Sequence, residues 1–362
     1  VRLGIDGRRI RPFSAGIGQF TEQLAWALST EVDTGTDELI LYGFEQEKFN
    51  GFSNLSLRFT EVPVGHPREQ YHFARRINKD SIDVFFSPGK FIPEADNCKN
   101  ISVVYDLCFE KLPDLYPNNV YEAEKESFRK KIELSELVFA ISRQTAADIT
   151  TNYPEAKDKV ELLSQSVHPA FCNHTHESGE QSNAEPPYLL FVGTLHPRKN
   201  IELLIDAYNR IAERIPHRLM LVGKTGWNYD KINQKIKASP HSEKINTPGA
   251  IFKNQELANI YRSAAILVYP SLCEGFGRPL LEAMHTETPI ICSDIPVHRE
   301  VAGAAARFFP AKDPGALAGE IKKVVNNDSI QKDLVKKGKE QAKKYSWEDA
   351  ARKLLTEARK LI

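Results

Sequence analysis

The chain has 362 residues, 41% of them hydrophobic and 27% charged, with 48 Lys and Arg balanced by 48 Asp and Glu. That length holds two domains of ordinary size, each with its own core, and the composition excludes collagenous, low-complexity and disordered classes. A formal net charge of zero argues against wholesale nucleic-acid binding.

The charge is unevenly divided. Residues 1–170 hold 20 Lys/Arg against 26 Asp/Glu, giving −6, and residues 171–362 hold 28 against 22, giving +6, so an anionic small molecule would favour the second half. The five cysteines include no CxxC pair and read as reduced thiols. No apolar run reaches the roughly 18 residues of a membrane span, and the opening VRLGIDGRRI does not read as a signal peptide. The expectation is a cytoplasmic protein, with peripheral contact to the inner face of a membrane left open.

Short apolar runs alternate with longer helical patterns along the chain, the signature of βαβ units and parallel sheets. In the first half, strands are predicted at Val1–Ile5, Leu39–Tyr42, Val84–Ser87, Ile101–Tyr105, Leu137–Ile141 and Lys159–Leu163. The polar stretch HPAFCNHTHESGEQSNAEPP then reads as a linker. Its Cys172, His174 and His176 lack a fourth metal ligand and are taken as linker residues. Beyond it, strands are predicted at Tyr188–Val192, Arg218–Val222, Ile266–Tyr269 and Pro289–Cys292. The fold class is therefore α/β, with two doubly wound domains: residues 1–168, a linker over 169–187, and residues 188–345. Ligands are expected in a cleft at the carboxyl ends of the strands.

Glycine-rich turns mark those ends. Gly16 and Gly18 lie where the loop after the first strand enters a helix, so amides could receive an anion or a sugar there. In LLFVGTLHPRKN, Gly193 ends a strand and Arg198 and Lys199 precede the next helix. Two cations at a helix N-terminus oppose its dipole, which makes sense if a phosphate lies there. Gly223 and Lys224 end a further strand at the same sheet edge.

The most informative stretch is EGFGRPLLEA, Glu274 to Ala283. Pro279 fits a first helical turn, and Gly275 and Gly277 allow close approach of a ligand to the backbone. The amides of Phe276, Gly277 and Arg278 are expected to face outward at the helix N-terminus. The arrangement suits a nucleotide diphosphate, with Glu282 chelating the ribose and Glu274 facing the group that the diphosphate carries.

These residues resemble the family-four retaining glycosyltransferases of the GT-B fold, in particular bacterial mannosyltransferases. The resemblance rests on Glu274-x₇-Glu282 and on VGTLHPRKNIELLIDAY, LANIYRSAAILVYPSLCEGFGRPLLEAM and TPIICSDIPVHREVAG, in that order. It is strong from Tyr188 onward and looser before, where GIGQF and VVYDL match best. It implies two Rossmann-like domains facing across a cleft, with the helix at 346–362 returning to the first domain. It also implies an acceptor-side first domain and a donor-binding second domain. Arg198 and Lys199 would hold the diphosphate, helped by the amides of Gly275, Phe276 and Gly277. Glu282 would bind the ribose and Glu274 the donor sugar. Gly16, Gly18, Tyr105 and Asp106 would face the acceptor or the transferred sugar.

Four positions depart from the family pattern. Thr194 replaces an arginine common after the glycine, Tyr105 replaces the usual histidine before Asp106, and Ser164-Gln165-Ser166 and Glu287-Thr288-Pro289 replace other usual segments. No two aspartates stand two residues apart, so transfer without a metal or other cofactor is expected. The resemblance implies retention of configuration. The favoured donor is GDP-mannose and the acceptor a glycan or lipid-linked glycan. The basic-apolar stretches YHFARRINKD and FRKKIELSEL are candidate membrane contacts. Two alternatives stand beside this reading: a sugar-phosphate synthase or nucleotide-sugar epimerase of the same fold, and a non-catalytic nucleotide-binding subunit.

Overall fold

The computed structural model describes residues 1–10, 16–33, 35–43, 54–59, 68–172 and 186–362, without the side chains of 57 and 59. His174 and His176 lie outside these residues, as does most of the expected linker. Two compact units emerge. One comprises Val1–Phe109, Tyr116–Gln165 and Tyr345–Ile362; the other comprises Glu110–Leu115 and Ser166–Lys344.

Seven strands form a parallel sheet in the first unit. They are β1 (Arg2–Asp6), β2 (Glu38–Gly43), β3 (Leu55–Phe59), β4 (Val84–Ser87), β5 (Lys99–Val104), β6 (Leu137–Ala140) and β7 (Val160–Leu162). Their spatial order is β3-β2-β1-β4-β5-β6-β7, so chain order reverses between β1 and β4. Helices covering both faces explain why central strands such as VFFS in β4 are buried throughout. On one face Tyr42, Phe73, Ile77 and Phe85 pack together, and further along the same face Val138, Ile149, Phe128 and Ile132 do.

These clusters correct the reading of YHFARRINKD and FRKKIELSEL as membrane contacts. Phe73 and Ile77 of the first stretch, and Phe128 and Ile132 of the second, are core residues. Tyr71 of the first stretch stays exposed. Among the described residues no helix is long and apolar enough to cross a membrane.

The helix Trp347–Lys360 belongs to this first unit and packs on the helix Ile17–Glu31. Ser346 caps it by accepting from the Asp349 amide at 3.1 Å. Trp347 meets Phe20 edge-on at 5.4 Å, Arg352 pairs with Glu31 at 3.0 Å, and Arg359 pairs with Asp37.

The second unit holds a six-stranded parallel sheet: β8 (Tyr188–Val192), β9 (Arg218–Val222), β10 (Ile245–Gly249), β11 (Ile266–Tyr269), β12 (Ile290–Ser293) and β13 (Ala306–Phe309). The order is β10-β9-β8-β11-β12-β13, with the reversal between β8 and β11. Three of the five cysteines, Cys98, Cys172 and Cys292, are free thiols. Cys108 and Cys273 are not, which corrects the reading of all five as reduced.

Candidate functional site

The site of the second unit is built at its strand-order reversal, where α/β sheets bind ligands. The loop after β8 carries Arg198 and Lys199 in a short turn, Pro197–Lys199. The loop after β11 carries Pro270 to Gly277. Backbone and side chain tie the two loops together. The Leu272 amide donates to the Arg198 carbonyl at 2.9 Å, and Asn200 donates to the Pro270 carbonyl at 3.1 Å and the Ala311 carbonyl at 2.8 Å. Asn200 has φ +57°, a left-handed conformation that asparagine tolerates better than most residues.

Close approach fixes the glycines. A Cβ on Gly223 would lie 1.9 Å from the Gly193 carbonyl oxygen, so the ends of β8 and β9 can meet only because residue 223 has no side chain. Gly277 precedes the helix Arg278–His285 with φ +89°, and a Cβ there would come within 3.2 Å of Leu280.

Glu274 joins the two predicted cations. Its carboxylate accepts from Lys199, from Arg198 at 3.1 Å and from the Tyr269 hydroxyl at 2.9 Å. Lys199 also donates to the Tyr269 oxygen at 2.8 Å. All three charged side chains are nearly buried. Burial alone would raise the Glu274 pKa, but the Lys199 and Arg198 charges hold it well below the usual carboxylate range. Burial and the same carboxylate push the Tyr269 phenol well above its ordinary value. The group is thus an ionised network with one surplus positive charge. Glu274 also supplies the counter-charge that the sequence seemed to lack at this helix start.

Glu282 sits in a second network. It is buried, accepts from the Tyr261 hydroxyl at 2.8 Å, and pairs with Arg278 at 3.0 Å across one helical turn. Its carboxylate therefore already has two partners, where a free chelator was expected. Gly275, Phe276 and Gly277 are likewise buried, with the Phe276 side chain packed inside. Lys224 is exposed at the carboxyl end of β9.

Sequence reasoning missed four residues here: Tyr269, Tyr261, His196 and His298. His196 stacks on Trp227 with ring centroids 4.1 Å apart. Burial and the Arg198 and Lys199 charges push its pKa down to about 3. His298 is fully buried, with Nδ1 3.0 Å from the Ser293 carbonyl oxygen. A carbonyl only accepts, so Nδ1 carries the proton. Burial pushes its pKa down to about 4. The one legible signal was Tyr269, a polar tip ending the apolar run ILVY.

In the first unit, Gly16 begins the helix Ile17–Glu31 with φ +57°, and Gly18 is buried in its first turn. Tyr105 directly follows β5 and meets Phe20 of that helix edge-on at 5.4 Å. Asp106 accepts from the Cys108 amide at 3.0 Å. Among the described residues, no group of three or more His, Cys, Asp and Glu side chains has the geometry of a metal site.

Residues 174–341 match the family model for glycosyl transferases group 1. The chain is 29% identical over 293 residues to O-antigen chain mannosyltransferase B of Escherichia coli, covering 78% of this chain and 75% of that one. Over residues 174–341 this chain resembles the group 1 glycosyltransferases. Its fold is that of solved GT-B enzymes. The sucrose-phosphate synthase of Thermosynechococcus elongatus superposes with a TM-score of 0.78 at 17% identity, over 99% of this chain and 98% of that one. Anabaena HepE, solved with UDP and glucose, gives 0.74 at 12% identity over 99% of both chains. The chain thus has two parallel sheets, as the sequence pattern implied, and the matched segment spans the network around Glu274.

Proposed function

We propose that this glycosyltransferase takes mannose from GDP-mannose and adds it to a glycan or lipid-linked glycan, with retention and without a metal. The observation that carries the reading is the Arg198–Glu274–Lys199 network across the strand-order reversal. A nucleotide-sugar bond breaks with charge building on the diphosphate, and fixed cations stabilise that charge as it forms. Arg198 and Lys199 are placed for this, with exposed Lys224 on the neighbouring strand. A diphosphate entering the crevice competes with Glu274 for both cations. The displaced carboxylate, ionised at neutral pH, then accepts hydrogen bonds from the sugar hydroxyls. Arg278 swings from Glu282 as the ribose hydroxyls replace it. Support for mannose comes from the name of the Escherichia coli relative, and support for retention from the family resemblance. In a front-face displacement the donor phosphate takes the acceptor's proton, so the enzyme needs no nucleophile of its own.

The test is calorimetric binding of GDP, UDP, ADP and dTDP to the purified protein, without metal and then with magnesium. GDP is expected to bind most tightly, and equally in both. Turnover should persist in chelator, and the product's anomeric configuration, read by NMR, should match the donor's. Absence of binding by any of the four nucleotides would refute the proposal.

A further inference from the structure

Rather than standing in a linker, Cys172 ends the helical turn Pro169–Cys172, which packs on the helices Asn254–Ser263 and Arg278–His285 of the second unit. Phe171 is buried and meets the Tyr261 ring edge-on at 5.9 Å. Arg262 donates to the Ala170 carbonyl at 3.0 Å and to the Phe171 carbonyl at 3.4 Å, and His168 Nδ1 accepts from the Ala170 amide at 3.1 Å. The turn is thus held in place from both ends, while Cys172 itself stays exposed.

Two side chains bear on its sulfur. His285 Nδ1 lies 3.5 Å from Sγ, within hydrogen-bond reach for sulfur. Arg262 is near enough for charge to couple the two: burial lowers its pKa, and a charge on Cys172 raises it. The thiolate is the nucleophilic form of cysteine, and neighbouring histidine and arginine favour it. His285 stands in the last turn of its helix, where the dipole favours a protonated imidazole. Transfer of the proton from sulfur to Nδ1 therefore gives an ion pair beside a second cation, the arrangement of a nucleophile with its base. Two other thiols stand in the opposite setting. Cys98 is half-buried, and burial with the Glu136 and Asp83 charges pushes its pKa up to about 12. Cys292 is buried, and burial with the Asp294 charge pushes its thiol up as well.

We propose that Cys172 is a modification site: a nucleophilic thiol, with His285 as its base, that exchanges with a low-molecular-weight disulfide of the glutathione class. The thiolate attacks one sulfur of the disulfide; a bond forms between that sulfur and Cys172 Sγ, and the original S–S bond breaks. The departing thiolate takes the proton from His285. The disulfide is the oxidant, reduced to one thiol as Cys172 is oxidised to a mixed disulfide. The proposal is independent of the donor assigned above.

The test uses the full chain and dithiobis-nitrobenzoate, a disulfide whose leaving thiolate is coloured. One thiol should react in a fast phase, about tenfold faster than the thiols of the same chain unfolded in urea, each rate scaled to that of glutathione in the same solvent. Cys172→Ser should remove this phase. His285→Gln and Arg262→Gln should each slow it severalfold, with the melting temperature as the measure of folding. If the His285 variant does not fold, the comparison of native with unfolded chain still decides, because it needs no substitution. Oxidised glutathione should then place its adduct on Cys172, located by peptide mass spectrometry. A fast phase that survives Cys172→Ser, a native rate no higher than the unfolded one, or a wild-type rate in folded His285→Gln overturns the proposal.

Discussion

Glu274 has two jobs that a single substitution exposes together. Glu274→Gln puts an amide NH₂ against Lys199 or Arg198 and leaves a buried cation without its counter-charge, a change of about 3–5 kcal/mol when one partner of a buried pair is removed. The variant should lose thermal stability. It should also bind free nucleoside diphosphate differently, and not only the sugar-bearing donor as sequence roles alone would have it. Lys199→Ala should lower kcat/KM by roughly one to two orders of magnitude, the worth of a charge-assisted contact of about 1.5–3 kcal/mol. Steady-state kinetics against donor concentration measure it. The histidines predict the pH dependence. The folded pKa of His298 is about 4, below the ordinary value near 6.5. As pH falls below about 6.5 the unfolded chain takes up a proton that the folded chain refuses. Stability is thus full above that pH and declines towards pH 4, by roughly 3 kcal/mol from this group. Glu274 adds its own loss below the ordinary carboxylate pKa. Urea midpoints between pH 7 and 4.5 should follow this decline, and His298→Asn should flatten it.

At the scale of elements, loop-to-loop contacts hold the site, and its glycines are the weak points. Gly223→Ala puts a Cβ into the Gly193 carbonyl and must separate the ends of β8 and β9. A melting temperature lowered by several degrees with weakened nucleotide binding is expected, and a neutral outcome would contradict the geometry. The same elements show what the sequence reveals. Strands β4, β8, β9 and β11 stand where the apolar runs placed them, because strands covered by helices on both faces must be apolar along their length. The strands that escaped sequence reading, β3, β10 and β13, are all edges. INTPG in β10 is largely exposed and contains a proline, which only an edge tolerates. Within the site, Arg198, Lys199 and Glu274 were legible from their positions after strands. Their pairing was not, because it joins residues of two loops that stand 75 and 76 positions apart in sequence. Tyr261 and His298 were invisible for a similar reason: each lies within a helix, and only packing turns it towards a carboxylate or a carbonyl.

Across the whole molecule, the last helix completes the first unit. Trp347 packs on Phe20, which packs on Tyr105, so a residue near the end of the sequence buttresses a candidate sugar-facing one. Trp347→Ala removes a buried aromatic, at a cost of about 3–5 kcal/mol. It should lower the melting temperature and raise KM for acceptor while leaving nucleoside diphosphate binding unchanged, as calorimetry would show. Finally, the carboxylate between Arg198 and Lys199 decides which solutes can compete for the crevice. Orthophosphate would exchange one buried anion for another and gain no ribose or base contact in return. A nucleoside diphosphate gains both. The enzyme should therefore run uninhibited in millimolar phosphate, selecting its donor against the commonest small anion around it without a residue dedicated to exclusion.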